Sequence, residues 1–95
     1  MHMQKPIEWS HEKNLWLKQN RGICFEDIVG ALETGNIVAA IAHPSKRYEH
    51  QGMYVVQIGG YIYAVPYVED GTKIFLKTIF PSRKYTKQFI AKDSI

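Results

Sequence analysis

The residues of this chain best suited to chemistry are cations near its C-terminus. No acidic residue interrupts the stretch 73–92, whose basic side chains are Lys73, Lys77, Arg83, Lys84, Lys87 and Lys92. Residues 73–95 carry six basic groups and one acid, whereas residues 1–72 carry six basic groups and eight acids. A positive field beside aromatic side chains favours a polyanion, and RNA is the partner that we rank first. The alternative is a solvated basic surface that binds nothing.

Arg83 is the first candidate for holding a phosphate, because its guanidinium presents a planar fork to two oxygens and stays charged. Lys77 is the second, since it projects from a predicted strand beside the small Ala64, which leaves room for a nucleic-acid strand. The candidates for flanking phosphates are Lys73, Lys84 and Lys87. Each of these would add salt-dependent affinity but little selectivity.

Length and composition indicate one domain that spans residues 1–95. The chain is 45% hydrophobic and 22% charged, which is ordinary for a globular protein. No apolar run approaches the roughly 20 residues that cross a bilayer, so we expect no membrane association. Because residues 1–6 are polar and lack the apolar core of a secretory signal, we expect a cytoplasmic location.

The cysteine and histidine pattern predicts neither a disulfide nor a metal site. Cys24 is the single cysteine, which agrees with a reducing compartment. The histidines are scattered without zinc-site spacing; they are His2, His11, His43 and His50. Gly59-Gly60 lies between two strand-like runs and predicts a hairpin turn instead of a phosphate loop. We therefore expect no cofactor.

Two helices are predicted in the first third of the chain. Ser10 is a suitable N-cap for a helix from His11 to about Gln19, and Gly22 is suited to the left-handed turn that ends it. The second helix is predicted from an apolar stripe at positions i, i+3, i+4 and i+7, formed by Phe25, Ile28, Val29 and Leu32. A third, short helix is expected after Pro81, with Ser82 as its cap.

Strands are predicted at 7–9, 37–42, 53–58, 61–68 and 73–80. A two-residue turn at Gly59-Gly60 places Ile58 opposite Tyr61. An Asp70-Gly71 turn would place Val68 opposite Lys73 and Ala64 opposite Lys77. The predicted fold is therefore α+β, with two N-terminal helices packed on a four-stranded antiparallel meander, a short C-terminal helix, and the helices on one side.

This register divides the side chains of the predicted sheet between two faces. The face expected to contact the helices carries Tyr54, Val56, Ile58, Tyr61, Tyr63, Val65, Tyr67, Ile74, Leu76 and Phe80. The second face carries Val55, Gln57, Ile62, Ala64, Pro66, Lys73, Phe75, Lys77 and Ile79. Because the second face is too apolar for plain solvent, we expect a partner or ligand across it. Pro66 has no ladder donor and predicts a bulge or an unpaired stretch.

Three short motifs, with the order of elements, resemble those of a known family. They are Ile7-Glu8-Trp9-Ser10 with Lys13-Asn14; Arg21-Gly22-Ile23 with Phe25-Glu26-Asp27; and Ile79 with Ser82-Arg83-Lys84 and Thr86-Lys87. Together they resemble BrnT-like toxins of type II toxin–antitoxin systems, within the broader RelE-like group of ribonuclease toxins. The resemblance spans nearly the whole chain, from Ile7 to Phe89.

The resemblance implies an α+β, RelE-like fold and RNA cleavage without a metal, which would inhibit translation. It also implies neutralisation by a cognate antitoxin encoded beside the toxin. The assembly would be a homodimer of the toxin or a heterotetramer of toxin and antitoxin. The RNA would be messenger or ribosome-associated. Such cleavage needs a base for the 2′-hydroxyl, an acid for the leaving oxygen and fixed donors for the phosphorane charge.

His43 and Tyr85 are the candidates for proton transfer. His43 titrates near neutrality at the end of a predicted strand, although it could simply hydrogen-bond within the His43-Pro44 turn. Tyr85 could act as an acid or stack a base. Two rival hypotheses remain: a non-catalytic module that docks an acidic protein or nucleic acid, and a structural protein that dimerises through its apolar sheet face.

Overall fold

The described residues of the computed structural model, 5–42, 47 and 50–89, form an α+β fold. In chain order the elements are β1 (Ile7–Trp9), α1 (His11–Asn20), α2 (Phe25–Glu33), β2 (Ile37–Ala42), β3 (Gln51–Ile58), β4 (Tyr61–Glu69), β5 (Ile74–Leu76), β6 (Phe80–Pro81) and α3 (Arg83–Phe89). None of the described helices is long and apolar enough to cross a membrane.

The start of α1 and its connection to α2 follow the sequence signals. Lys13 N donates to the Ser10 hydroxyl at 3.1 Å, which confirms the predicted cap, and Gly22 turns the chain at φ 66°. The buried Asn14 side chain donates to Glu26 at 2.8 Å and accepts from Phe25 N at 2.7 Å. The hydrogen bond from Asn14 lowers the pKa of the Glu26 carboxyl. Asn14 therefore holds α2 against α1.

Helix α2 begins without a hydroxyl cap. Cys24 lies at the cap position, and the Asp27 carboxylate accepts from both Cys24 N at 3.1 Å and the Cys24 thiol at 3.3 Å. Burial is the main cause that raises the pKa of Cys24, and the hydrogen bond of its thiol to the Asp27 carboxylate raises that pKa further. Phe25, at the start of the predicted stripe, is fully buried and stacks on Trp9 with ring centres 5.5 Å apart. The stripe faces the core as predicted.

The sheet is mixed, because β1 pairs with β5 in parallel while the other pairs are antiparallel. Its strand order is β1-β5-β4-β3-β2, and β6 also pairs with β4. The predicted meander is therefore present in β2 to β5, and the predicted strand at 7–9 is present as β1, but its parallel pairing with β5 and the separate β6 were not predicted. A three-residue strand such as β1 is stable in this position since it packs beside the core.

The register of β3 on β4 is confirmed. Ile58 pairs with Tyr61, and Tyr54 pairs with Val65. Gly59 adopts φ 64°, which the tight two-residue turn requires.

The register of β4 on β5 was predicted wrongly by two residues. Val68 pairs with Phe75 instead of Lys73. The Asp70 carboxylate accepts from Thr72 N at 2.7 Å and from Lys73 N at 2.9 Å, and these bonds lower the pKa of Asp70. Residues 70–73 thus form a longer loop closed by Asp70 N donating to Lys73 O at 3.0 Å. A side chain that binds its own backbone has replaced the expected two-residue turn.

The predicted strand 73–80 is broken opposite Pro66. Lys77 N donates to Pro66 O at 2.8 Å, but proline has no N–H with which to continue the ladder. The chain then pairs with β4 again in β6, where Phe80 lies opposite Ala64, one residue out of register with β5. Pro66 predicted an irregularity in its own strand. The structure has the irregularity in residues 77–79, the segment that lies opposite that strand.

This one-residue shift exchanges the faces of two side chains. Ile79 is fully buried in the main core cluster, whereas Phe80 is 38% exposed. The prediction had placed Phe80 in the core and Ile79 on the second face. Because side chains alternate along a strand, inserting one residue reverses every assignment that follows it.

Some side chains on the second face of the sheet are buried, although they lie outside the main core cluster. The main core cluster is formed by Leu17, Ile23, Phe25, Ile28, Ala31, Val56, Val65, Ile74, Leu76 and Ile79. Val55, Ile62 and Ala64 lie on the second face and are buried outside that cluster. Of the described helices, α3 is the one that packs against β4 and can cover them. Part of the second face is therefore satisfied within the chain.

Replacing Leu76 by alanine should destabilise the fold. The side chain is fully buried in the main core, so its loss leaves a cavity and should cost about 2–5 kcal/mol of unfolding free energy. Urea denaturation followed by circular dichroism measures this change. Leu15→Ala is the matched control, because Leu15 is 45% exposed and should change stability by less than about 0.5 kcal/mol. Equal losses in the two variants would contradict the assigned core.

Candidate nucleic-acid interface

Helix α3 is attached to β4, just beyond the pairing with β6, by two hydrogen bonds. Ser82 N donates to Ile62 O at 2.9 Å, and Ile62 N donates to the Thr86 hydroxyl at 2.9 Å. Tyr85 N donates to the Ser82 hydroxyl at 3.1 Å, which confirms the predicted cap. Both polar backbone groups of Ile62 are thereby satisfied, and the orientation of α3 is fixed relative to the sheet.

The exposed side of α3 carries three cations. Arg83, Lys84 and Lys87 are exposed, whereas Tyr85 and Thr86 are half-buried against the protein. Lys87 comes four positions after Arg83 and three after Lys84, and residues at these spacings are neighbours on a helix surface, so the three side chains form one surface, which we call the cationic face of α3. The Lys84 ammonium lies 5.3 Å from the centre of the Tyr85 ring.

Lys77 lies opposite Pro66 of β4, and its side chain lines a groove on the second face of the sheet. It is exposed, and it lines a cavity of about 300 Å³ with Ile41, Met53, Pro66 and Tyr67 among its neighbours. Its backbone binds Pro66, and α3 is attached at Ile62. Four residues of β4 separate these points, about 13 Å at the usual rise of a strand. Lys77 is therefore near α3 but lies in more apolar surroundings.

Lys73 is separated from the other predicted cations. Its ammonium lies 3.7 Å from the Glu8 carboxylate, and both side chains are about half exposed. Lys73 follows the loop at the far end of β4, where Glu69 pairs with Ile74. The structure thus pairs Lys73 with an acid on β1 and does not bring it to the cationic face of α3.

The two candidates for proton transfer differ in placement. Tyr85 is half-buried within α3, two positions after Arg83. His43 lies outside the described residues, as does Lys92. Within the described part of the chain, no three His, Cys, Asp or Glu side chains cluster in a way that could hold a metal ion.

Arg21 is a candidate that the sequence analysis did not identify. Its guanidinium donates to the carbonyl of Ile79, in the irregular segment before β6. It also lines a cavity of about 360 Å³ with Tyr61, Tyr63 and Pro81. Because Pro81 comes two residues before Arg83, this contact brings a cation from the end of α1 next to the start of α3. This relation between the two arginines was not predicted, because sixty-one residues separate them in the sequence.

Trp16 is the second residue that the sequence analysis missed. It is 42% exposed on α1, and two cations lie over its ring: the Lys13 ammonium at 4.8 Å and the Arg21 guanidinium at 5.0 Å from the ring centre. The spacing of Lys13 and Trp16, three residues apart on one helix, was the available signal.

The tyrosines on the core face are structural, as predicted. Tyr54 and Tyr67 stack with ring centres 4.3 Å apart and pack against the main core. Burial, with the nearby Tyr67 and Glu69, raises the pKa of Tyr54 to about 12, and burial likewise raises the pKa of Tyr67. Both hydroxyls therefore stay protonated at neutral pH. Trp9, in contact with Phe25, is also part of the core rather than a stacking surface.

Comparison of this chain with models of known protein families, with curated proteins and with solved structures found no match in any of the three.

Proposed function

We propose that this chain is a metal-independent endoribonuclease toxin of a type II toxin–antitoxin module, similar to the BrnT-like members of the RelE-like group. It would cleave messenger or ribosome-associated RNA in the cytoplasm and so inhibit translation until its antitoxin binds. The observation that carries the proposal is the cationic face of α3, formed by Arg83, Lys84 and Lys87 on one exposed side.

These three cations are available to a polyanion. Among the described residues, none of them forms an ion pair with an acid. Arg83 and Lys84 also lie in the first turn of α3, where a helix dipole favours acids and disfavours cations. Their position therefore gives α3 no electrostatic stability, and binding phosphate is the role that suits them.

The chemistry proposed for RNA cleavage assigns a role to each candidate. Arg83 would hold the phosphorane oxygens, because its fork of donors matches two of them. Lys84 and Lys87 would bind the phosphates on either side, and Lys77 would contribute positive charge from the groove. Tyr85 and His43 are proposed for proton transfer to the leaving oxygen and from the 2′-hydroxyl.

The groove around Lys77 supports a protein partner as well as RNA. Ile41 and Phe80 are exposed on this face, and Met53 and Pro66 are half-buried beside Lys77. An apolar surface with one cation suits an antitoxin segment that brings apolar side chains and one carboxylate. This same observation favours the second candidate function, a non-catalytic module that docks an acidic protein.

Arg83→Ala should abolish RNA cleavage without unfolding the protein. Losing a fixed donor to the transition-state charge typically costs about 100-fold or more in rate, whereas Arg83 is exposed and outside the core. The measurement is gel analysis of end-labelled RNA incubated with the purified protein in a chelator, beside a thermal melt. Lys18→Ala removes an exposed cation from α1 and should leave the rate unchanged.

The same assay separates the two candidate functions. Cleavage by the wild type and by Lys18→Ala, but not by Arg83→Ala, supports the nuclease. RNA that stays intact across substrates while the protein still retains it supports the non-catalytic module. A large fall in melting temperature of Arg83→Ala would show that Arg83 is structural and would overturn its assigned role.

Expression of this chain alone should arrest growth, and co-expression of the neighbouring small gene product should restore it. Met53→Glu places a carboxylate in the Lys77 groove, so it should repel an acidic antitoxin, whereas the lone chain should still arrest growth because Arg83 is unchanged. Colony counts with and without the neighbouring gene measure both effects. Rescue of Met53→Glu as complete as that of the wild type would contradict docking in this groove.

A further inference from the structure

We propose that Trp16 is a stacking platform for an unpaired base of single-stranded RNA, with Lys13 and Arg21 holding the phosphates on either side of that base. The proposal extends the RNA-binding part of the proposed function to a second site on α1, and it does not require that the bound RNA be cleaved.

The ring of Trp16 combines exposure with positive charge. It is 42% exposed and lies outside the core cluster, so a ligand can reach the part of the ring that Lys13 and Arg21 leave uncovered. The Lys13 ammonium lies 4.8 Å from the ring centre, and the Arg21 guanidinium lies 5.0 Å from it. An aromatic ring beside Lys and Arg is the arrangement with which proteins bind single strands, because the ring stacks the base while the cations bind its phosphates.

Arg21 is held in place before any ligand arrives. Its guanidinium donates to the Ile79 carbonyl, which fixes the side chain beside Trp16 and reduces the entropy lost on binding. A guanidinium has five N–H donors, so this contact leaves others for phosphate oxygens. Lys13 is half-buried, and its flexible side chain can turn the ammonium from the ring to a phosphate.

A cavity beside the ring has room for a base. It measures about 310 Å³ and is lined by Ser10, Glu12, Lys13 and Trp16. The Ser10 hydroxyl already accepts the cap hydrogen bond from Lys13 N. Glu12 contributes a carboxylate that can accept from the N–H groups of a base edge, while it would repel a phosphate. The cavity therefore suits the base, and the two cations suit its backbone.

This platform is continuous with the cationic face of α3. Arg21 shares its cavity with Tyr61, Tyr63 and Pro81, and Pro81 precedes Arg83 by two residues. A strand lying across Arg83 therefore reaches Arg21 and then Trp16. Bases of a duplex are already stacked on their neighbours, so the platform selects unpaired RNA.

Fluorescence of Trp16 provides the test. Trp9→Phe keeps an aromatic ring against Phe25 and leaves Trp16 as the only indole of the chain. Titration with a short 2′-O-methyl RNA oligonucleotide, which has no free 2′-hydroxyl to be cleaved, should quench Trp16 in a saturable manner. In a separate retention assay, Trp16→Ala should weaken binding about 5- to 100-fold, and Trp16→Phe should restore most of it.

The control is Leu15→Ala, which removes the neighbouring side chain, 45% exposed on the same helix. It should bind the oligonucleotide as the wild type does. The platform is overturned if the oligonucleotide does not quench Trp16, if Leu15→Ala weakens binding as much as Trp16→Ala, or if a blunt RNA duplex or an acidic peptide quenches equally well.

These outcomes are distinguishable from a failure of the nuclease proposal. Quenching of Trp16 by the oligonucleotide together with intact RNA in the cleavage assay would support the platform and contradict the nuclease. Cleavage that is lost in Arg83→Ala, with wild-type binding in Trp16→Ala, would support the nuclease and contradict the platform.

Discussion

The one-residue shift with which residues 74–81 pair to β4 determines where the functional candidates of this chain lie. Pro66 cannot return the hydrogen bond that Lys77 makes to it, so the ladder stops and resumes in β6 one residue out of register. The shift directs the Ile79 side chain into the core. It also leaves the Ile79 carbonyl to accept a hydrogen bond from the Arg21 guanidinium. It also directs the chain at Pro81 so that Ser82 and Thr86 attach α3 to Ile62.

Two separate segments of the chain thereby contribute to one basic and aromatic surface. Arg21 satisfies a carbonyl that the irregular segment leaves outside the ladder, and it shares a cavity with Pro81, next to the start of α3. A buried carbonyl without a donor costs free energy, so the contact is structural. Because a guanidinium has donors to spare, the same contact can serve ligand binding. Structure and proposed function therefore depend on the same interaction.

Local signals in the sequence were sufficient for much of the fold. The Ser10 and Ser82 caps and the tight turn at Gly59-Gly60 depend on residues close in sequence, and each was predicted. The loop at Asp70 was not predicted, because a carboxylate that binds its own backbone offers the chain an alternative to a two-residue turn. The cations of α3 were identified from the distribution of charge along the sequence. The contact of Arg21 with Ile79 could not be predicted, because it depends on a bulge whose position is set only by strand pairing in the folded sheet.

We propose that RNA crosses one continuous surface from α3 through Arg21 to Trp16. Amide and indole chemical shifts of the labelled protein during titration with an uncleavable RNA oligonucleotide would map this path. We expect shifts in Arg83, Lys84 and Lys87, in Arg21, and in the indole of Trp16, with the indole of Trp9 unchanged. Shifts confined to the Lys77 groove or to Lys73 and Glu8, or shifts that leave the Trp16 indole in place, would contradict it.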